Sequence, residues 1–178
     1  LDLGFSTFFL NRTNRSGIIN AGVIGGKEQK GKYKLDCRFN KSALINRICL
    51  IANKRAKIEL YRMDAYDFID EVILNTNNSF TFFDPPYFEK GPSLYTNFYT
   101  KNQHRNLANK ILSLLHQKKF IITYDHSQII KELYADLDYI EYYLNYSANN
   151  KTKGIEYMFF SNKLNKGQIN NFLQVLNH

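Results

Sequence analysis

The spacing of apolar residues changes near residue 57, and it predicts different structures before and after that point. Residues 1–10 are largely apolar, with the potential to form a helix or a strand. Residues 17–33 combine glycine with basic residues, which is typical of loops and hairpins. Residues 42–53 carry apolar side chains at a helical spacing, with Asn40 or Ser42 as the N-cap. The apolar positions of this predicted helix are Leu44, Ile45, Ile48 and Ile51.

After residue 57, segments of strand character alternate with segments of helical character. Strands are predicted over residues 58–62, 80–83, 120–124, 139–146 and 155–161. Helices are predicted over residues 66–74, 100–117 and 128–134. The helix over 100–117 is the best defined, because Thr100 and Gln103 form a capping-box pattern before an apolar stripe. The stripe, which we expect to lie in the core, consists of Leu107, Ile111, Leu114 and Leu115.

This alternation predicts the fold class. Strands that alternate with helices favour an α/β fold with a Rossmann-like, mostly parallel sheet and helices on both of its faces. The last two predicted strands, joined by the polar loop 148–154, are expected to form an antiparallel hairpin at one edge of the sheet.

The most informative short motif is Asp84-Pro85-Pro86-Tyr87, the tetrapeptide 84–87, which follows the predicted strand 80–83 directly. Two consecutive prolines fix φ near −65° and keep the residue before each of them out of the helical region. The strand therefore ends by presenting a carboxylate, a rigid turn and an aromatic ring in one geometry. Such a turn suits a site that acts on a flat, polar substrate.

A second acid follows the predicted strand 58–62 in the same way. Asp64 comes just after this strand, as Asp84 comes just after the strand 80–83. In open α/β sheets, ligands bind at the carboxyl ends of the strands. Two acids at this edge predict one shared pocket.

Charge divides the chain into two regions. The sequence has a net charge of +8 over 178 residues, and residues 1–57 hold twelve Lys and Arg against three acids, a balance of +9. Residues 58–178 hold twelve basic residues against thirteen acids, a balance of −1. A concentrated basic region predicts a surface that binds a polyanion, most often nucleic acid. We therefore predict a DNA-binding region over 1–57 and a catalytic region over 58–178.

Other classes of protein fit the sequence less well. The apolar runs are much shorter than the roughly 20 residues that a membrane-spanning helix needs, and no signal-peptide pattern opens the chain. Cys37 and Cys49 are too few for a disulfide framework or a zinc site, so we expect a cytoplasmic protein without a metal ion. The chain begins at Leu1 rather than at a methionine, which suggests a fragment or a truncated copy.

Several motifs together resemble the Dam-like, D12 class DNA adenine-N6 methyltransferases, which use S-adenosylmethionine. The tetrapeptide 84–87 is the most specific of them. The other matching motifs are Phe8-Phe9-Leu10-Asn11-Arg12-Thr13, Ile24-Gly25-Gly26, Gly31-Lys32-Tyr33, Arg38-Phe39-Asn40-Lys41 and Tyr99-Thr100-Lys101-Asn102-Gln103-His104. The resemblance covers nearly the whole chain, and it does not indicate which DNA sequence is recognised.

The resemblance implies a catalytic role for Asp84, Pro85, Pro86 and Tyr87. The N6 amine of adenine is a poor nucleophile because its lone pair is delocalised into the ring. The Asp84 carboxylate and the Pro85 carbonyl are expected to accept the two amine protons and so to stabilise the charge that develops on nitrogen. Tyr87 is expected to stack on the base once it has left the duplex, a role that needs the ring rather than the hydroxyl.

The resemblance also implies binding residues. Asp64, Ala65 and Asp84 are expected to contact S-adenosylmethionine, with Asp64 at its adenine moiety. The basic region corresponds to the target-recognition region of such enzymes, which binds double-stranded DNA. Its expected DNA contacts are Asn11, Arg12, Arg15, Lys27, Lys32, Arg38 and Lys41. The family's two glycine-rich cofactor motifs are not in their usual places, so we expect an incomplete methyltransferase fold that binds S-adenosylmethionine poorly when isolated.

Alternative interpretations remain open at this stage. Methylation of a cytosine N4 amine uses the same chemistry, although Ser more often precedes Pro-Pro-Tyr in that group; RNA or protein-glutamine methylation usually has Asn there. A DNA-binding relic without catalysis would also retain the basic region. We interpret His104 and His126 as structural rather than as general bases. We further expect a monomer that serves restriction-modification beside an endonuclease partner.

Overall fold

The computed structural model describes residues 1–89, 91, 98–146, 152–167, 169 and 173–176. The chain divides into two compact units, a first unit built on Leu1–Tyr61 and a second unit with Arg62–Tyr146 and Lys151–His178. The division falls after Tyr61, whereas the charge pattern placed it after Lys57. No helix in the described ranges is long and apolar enough to cross a membrane.

The first unit contains two helices, α1 (Asp2–Thr13) and α2 (Lys41–Ala52). The chain between them forms turns and short 3-10 segments at Arg15–Gly17 and Leu35–Arg38, and another follows at Arg55–Lys57. The helix predicted over 42–53 is confirmed, and its N-cap is Asn40, whose side chain accepts a hydrogen bond of 3.0 Å from the Ala43 amide.

Polar contacts rather than a large core hold the first unit together. Among its apolar residues only Leu44 is buried, while Ile45, Ile48 and Ile51 on the same helix are each about half exposed or more. Side-chain amides instead bind backbone carbonyls across the turns. The Gln29 amide, for example, donates to the carbonyls of Ile24 and Gly26 at 2.8 and 2.7 Å.

A four-stranded sheet forms the centre of the second unit. Its strands are β1 (Phe80–Phe83), β2 (Lys119–Asp125), β3 (Asp138–Tyr146) and β4 (Thr152–Phe160), in the order β1-β2-β4-β3. The β1–β2 pairing is parallel, whereas β2–β4 and β4–β3 are antiparallel. This arrangement confirms the α/β class and the antiparallel hairpin at one edge. Residues 148–151 of the predicted connecting loop lie outside the described residues, whereas residues 152–154 belong to β4.

Helical segments accompany the sheet. The predicted helix over 66–74 is formed by α3 (Ala65–Phe68), which continues into a π-helical turn at Ile69–Ile73. The helix α4 (Lys101–Leu114) has the predicted capping box at Thr100 and Gln103, and α5 (Gln128–Leu133) follows β2.

One face of the sheet packs on these helices and forms the core of the second unit. Successive strand residues point to opposite faces, so every second residue of each strand enters this core. The buried cluster consists of Ile69, Ile73, Phe83, Leu107, Ala108, Ile111, Leu115, Phe120, Ile122, Tyr124, Ile130, Tyr134, Leu137, Tyr157 and Phe159. Leu114, which the apolar stripe of α4 placed in the core, is instead 41 % exposed.

The prediction of a strand over residues 58–62 is wrong. No strand is present there, and Ile58 and Leu60 are exposed. A strand is stable only where a neighbouring strand accepts and donates its backbone hydrogen bonds. Within the described residues no ladder pairs with this segment, so its alternating sequence alone does not produce a strand.

The second face of the sheet carries a group of polar side chains at the carboxyl end of β2. Thr123 and Asp125 share this face because they are two residues apart, and Glu156 of β4 lies directly opposite Asp125 in the ladder. All three side chains are buried. They lie beside the point where β1 ends and the tetrapeptide 84–87 begins.

Candidate active site

The tetrapeptide 84–87 begins where the parallel strand β1 ends, at the edge of the sheet where ligands bind in folds of this class. The Asp84 side chain is exposed, Pro85 is buried, and Pro86 and Tyr87 are half-buried. The segment therefore presents a carboxylate to solvent while its first proline anchors it in the protein.

Asp84 is oriented by the neighbouring strand. The buried hydroxyl of Thr123 on β2 donates to Asp84 Oδ1 at 3.0 Å. A carboxylate can accept about four hydrogen bonds, so this contact fixes the direction of the group and leaves it capacity to accept others. An oriented and exposed carboxylate can receive a proton from a substrate amine.

Tyr87 is held at its hydroxyl. Its O–H donates to Glu156 Oε1 at 2.6 Å, and Glu156 Oε2 accepts from the hydroxyl of Tyr142 at 2.8 Å. Glu156 is 2 % exposed. A half-buried ring with a fixed hydroxyl is a rigid aromatic surface, which suits stacking against a planar base.

The chain that follows the tetrapeptide is fixed by a second buried carboxylate. Asp125 Oδ1 accepts from the Phe88 amide at 2.7 Å, and its Oδ2 accepts from the Glu89 amide at 2.9 Å. Asp125 ends β2, so the sheet itself sets the position of residues 88 and 89.

Asp64 lies in a different setting from the one its sequence position predicted. It is not at the end of a strand but at the N-cap of α3, where Oδ1 accepts from the Tyr66 amide at 2.8 Å. Its Oδ2 accepts from the hydroxyl of Tyr99 at 2.8 Å. Burial, together with this hydrogen bond, raises the pKa of Tyr99 to about 12, so Tyr99 remains a donor at neutral pH.

Asp64 lines a pocket of about 250 Å³ between α3 and α4. The pocket combines two exposed carboxylates with two phenol rings and polar side chains. Its lining residues are Asp64, Tyr66, Asp67, Tyr99, Gln103, Asn106 and Leu107. Ala65 is the first residue of α3 and is half-buried beside this pocket.

Aromatic contacts connect this pocket with the chain that follows the tetrapeptide. The ring of His104 lies 5.5 Å from the ring of Tyr99 and 5.2 Å from that of Phe88. His104 is buried, and its Nδ1 is 2.9 Å from the hydroxyl of Tyr124. Burial lowers the pKa of His104, although the nearby Asp125 partly opposes this shift. His104 therefore packs between the pocket at Asp64 and the chain that follows the tetrapeptide.

His126 has a different environment. It is exposed, its ring stacks on Tyr157 at 4.6 Å, and its Nε2 is 3.4 Å from Glu141. Within the described ranges, no group of three or more His, Cys, Asp or Glu side chains could hold a metal ion.

The residues expected to bind DNA lie in the first unit, and they differ in exposure. Asn11, Arg15, Lys27, Lys32 and Lys41 are exposed. Arg12 and Arg38 are half-buried, and the Arg12 guanidinium donates from Nε and Nη2 to the Arg38 carbonyl at 2.9 and 2.7 Å. Arg12 thus connects α1 to the turn at Leu35–Arg38.

The residues that hold the tetrapeptide were not predicted from the sequence. Thr123, Asp125, Tyr142 and Glu156 lie in predicted strands or at their ends, and local sequence gave no sign of their partners. Asp125 was the easiest to find, because it is an acid at the carboxyl end of a predicted strand, like Asp84. Glu156 gave only the weaker signal of an acid within an apolar strand.

Comparison with known proteins identifies the family of this chain. No curated protein matches the sequence. The family model described as D12 class N6 adenine-specific DNA methyltransferase matches residues 5–168, which is most of the chain. The match confirms the predicted family, and with it the class of enzyme and the methyl donor S-adenosylmethionine. The chain belongs to the D12 class N6 adenine-specific DNA methyltransferases.

Proposed function

We propose that this chain methylates the N6 amine of an adenine that has been extruded from duplex DNA, and that Asp84, Pro85 and Tyr87 are its catalytic residues. One observation carries the proposal. The exposed Asp84 carboxylate is oriented by Thr123 at the carboxyl end of β1, next to a tyrosine ring that is held at its hydroxyl.

We assign to Asp84 and Pro85 the role of accepting hydrogen bonds from the two N–H groups of the amine. As the N6 nitrogen bonds to the methyl carbon, which would leave its electron pair on the sulfur of the donor, the nitrogen becomes positively charged, and one of its two protons passes to the Asp84 carboxylate. A fixed carboxylate and a fixed carbonyl dipole stabilise that charge without having to reorganise. Pro86 contributes rigidity, because its ring fixes φ and leaves this turn few other conformations.

Tyr87 is assigned the role of a stacking platform. The target adenine must leave the duplex before its N6 amine can be reached, and a pocket that holds the extruded base by stacking offsets part of this cost. Base–aromatic stacking contributes roughly 1–3 kcal/mol per base.

The pocket at Asp64 fits the adenosine part of S-adenosylmethionine. The Asp64 carboxylate can accept from an exocyclic amine, and the rings of Tyr66 and Tyr99 line the same pocket. When bound, S-adenosylmethionine supplies an electrophilic methyl group. We assign Asp64 and Ala65 to its adenine end. Asp84 is not among the residues that line this pocket, and we assign it to the end of the cofactor from which the methyl group is transferred.

We assign DNA binding to the first unit. Leu1–Tyr61 contains twelve Lys and Arg against four acids, a balance of +8. The exposed side chains Arg15, Lys27, Lys32 and Lys41, with Asn11, are proposed phosphate and base contacts. Arg38 is proposed to contribute through its guanidinium, whereas Arg12 acts mainly by holding the turn that carries Arg38.

We propose a cytoplasmic, monomeric enzyme whose methylation protects DNA from an endonuclease of the same restriction-modification system. The family's substrate, DNA, supports the location. Size-exclusion chromatography with light scattering tests the monomer. Restriction of host DNA after deletion of the gene tests the protective role.

Incubating the chain with tritiated S-adenosylmethionine and duplex DNA, followed by nucleoside chromatography, tests the activity. We expect label in N6-methyldeoxyadenosine when S-adenosylmethionine is in large excess, because the sequence predicts that the chain binds it poorly. Label in N4-methyldeoxycytidine would contradict the adenine assignment. Salt-dependent DNA binding without label in either nucleoside would favour a DNA-binding relic.

The first prediction concerns Asp84. Asp84→Ala should lower the rate of methyl transfer on the order of a hundredfold or more, by analogy with the loss of one aligned group that stabilises transition-state charge. DNA affinity, measured by fluorescence anisotropy, should remain near that of the unchanged chain because it depends on the basic unit. Near-normal turnover by this variant would remove Asp84 from the mechanism.

A further inference from the structure

The chain after β1 has few backbone groups with which to anchor itself. Two of the four residues of the tetrapeptide are prolines, which have no N–H to donate. The described hydrogen bonds therefore fix the segment through the Asp84 side chain before the prolines and through Tyr87, Phe88 and Glu89 after them.

Three of the bonds after the prolines are accepted by two carboxylates. Glu156 accepts from the Tyr87 hydroxyl, and Asp125 accepts from the amides of Phe88 and Glu89. Asp125 and Glu156 are directly opposite each other in the β2–β4 ladder. They are only 4 and 2 % exposed.

This pair is costly for a sheet. Like charges directly opposite each other in a ladder are destabilising, and burying a carboxylate carries a desolvation penalty unless hydrogen bonds compensate for it. A pair of apolar residues at these positions would avoid both costs. What the carboxylates provide instead is a set of short hydrogen bonds to the segment that carries Tyr87.

Glu156 is itself held in place from the next strand. Tyr142 of β3 is its partner in the β3–β4 ladder, is also buried, and donates its hydroxyl to Oε2. The two oxygens of Glu156 thus have different tasks, because Oε2 is fixed to the sheet and Oε1 receives Tyr87. The ring of Tyr87 is consequently tied to the rigid β3–β4 hairpin rather than only to its own loop.

We propose that Glu156 is a positioning residue that acts through the Tyr87 hydroxyl, holding the ring of Tyr87 in the orientation that stacks on the extruded adenine. The inference rests on the stacking role proposed above for Tyr87. It changes the expectation drawn from sequence, because the hydroxyl now has a role in orienting the ring although it takes no part in the chemistry. A ring that is ordered before binding does not lose its rotational freedom when the base arrives.

The test compares Glu156→Gln, Tyr87→Phe and the double variant, with Glu141→Gln as a matched control. Glu141 is a similarly buried glutamate, but it lies on β3, and its partner is His126. Thermal unfolding identifies any variant that fails to fold. If Glu156→Gln fails to fold, Tyr142→Phe provides a second way to loosen Glu156.

The first measurement uses no DNA. In the free chain with 13C-labelled tyrosine, Glu156→Gln should shift and broaden the Tyr87 ring signals, which Tyr87→Phe identifies by their loss, whereas Glu141→Gln should leave them unchanged. Unchanged Tyr87 signals in Glu156→Gln would overturn the proposal, whatever the chain does with DNA.

The second measurement reports extrusion of the base. A duplex with 2-aminopurine at the methylated adenine, mapped in the labelling experiment, becomes fluorescent when that base leaves the stack. Glu156→Gln and Tyr87→Phe should each reduce the extruded fraction about tenfold, within the contribution of one stacked base. The double variant should be no worse than either single variant, because both remove the same contact.

The outcomes separate the two proposals. Additive losses in the double variant, or an equal loss in Glu141→Gln, would overturn the role of Glu156. If the unchanged chain neither methylates nor extrudes the base, the proposed function fails, while dependence of the Tyr87 ring on Glu156 would still support the positioning role.

Discussion

Among the residues that the structure describes, the second unit buries fifteen apolar side chains in one cluster, whereas the first unit buries a single one, Leu44. The same kinds of residue are present in both, since the first unit also has apolar helices. In α4 the apolar stripe packs on the sheet, but in α2 most of the apolar stripe remains exposed. The first unit relies on side chains such as Arg12 and Gln29, which bind backbone carbonyls across its turns.

This difference follows from what each unit provides for its helices to pack against. A sheet presents a continuous apolar face, so a helix placed on it buries most of its stripe. Turns rich in glycine and lysine offer no such face, and they expose polar backbone groups that must find partners. The second unit is thus suited to holding catalytic groups rigidly, and the first to presenting charge.

The largest expected effect is on the free energy of unfolding, and it is tested by two matched core truncations, one in each unit. Leu107→Ala removes a side chain that is 1 % exposed in the cluster of the second unit, and should lower the free energy of unfolding by about 2–5 kcal/mol. Leu44→Ala, in the first unit, should cost clearly less because its surroundings are open and can collapse. Urea denaturation followed by circular dichroism measures both, and equal losses would mean that the first unit has a real core.

Salt dependence of DNA binding tests the charge of the first unit. Neutralising the exposed residues Lys27, Lys32 and Lys41 to Gln should flatten the slope of log affinity against log salt by up to about three units, since each phosphate contact contributes about 0.9. The control carries Lys101, Lys119 and Lys163 changed to Gln, which are exposed residues of the second unit. Equal slopes for the two triple variants would contradict DNA binding by the first unit.

The smallest expected effect is a pH dependence of the free energy of unfolding, which arises from His104 in the second unit. Burial keeps the pKa of His104 below that of a free histidine, about 6.5, so the unfolded chain takes up this proton at a higher pH than the folded chain. Stability from this group is complete above about pH 6.5 and is lost as pH falls toward the folded pKa. The slope in that window is at most about 1.4 kcal/mol per pH unit.

Replacing this histidine provides the measurement. Below about pH 6.5, unfolding of His104→Gln should depend less on pH than unfolding of the original chain. His116→Gln, which changes an exposed histidine, should follow the original chain. A parallel curve for His104→Gln would show that the proton of this group does not couple to folding.

The comparison also shows which features sequence alone could predict. The helix α4, with its capping box, and the strand β1 followed by the tetrapeptide have the predicted positions, because caps, periodicity and proline act over a few residues. The family followed from the same short motifs, and its match over residues 5–168 confirms it.

The tertiary structure decided the features that depend on distant partners. Residues 58–62 have a strand-like pattern but form no strand, since no ladder in the described residues pairs with them. The Arg12 guanidinium donates two hydrogen bonds to the Arg38 carbonyl, although the sequence predicted that Arg12 would contact DNA. Glu156 holds Tyr87 across 69 residues of sequence. Local sequence determines which helices, turns and reactive groups a chain can form, but hydrogen bonds between distant strands determine which of those groups are fixed in place.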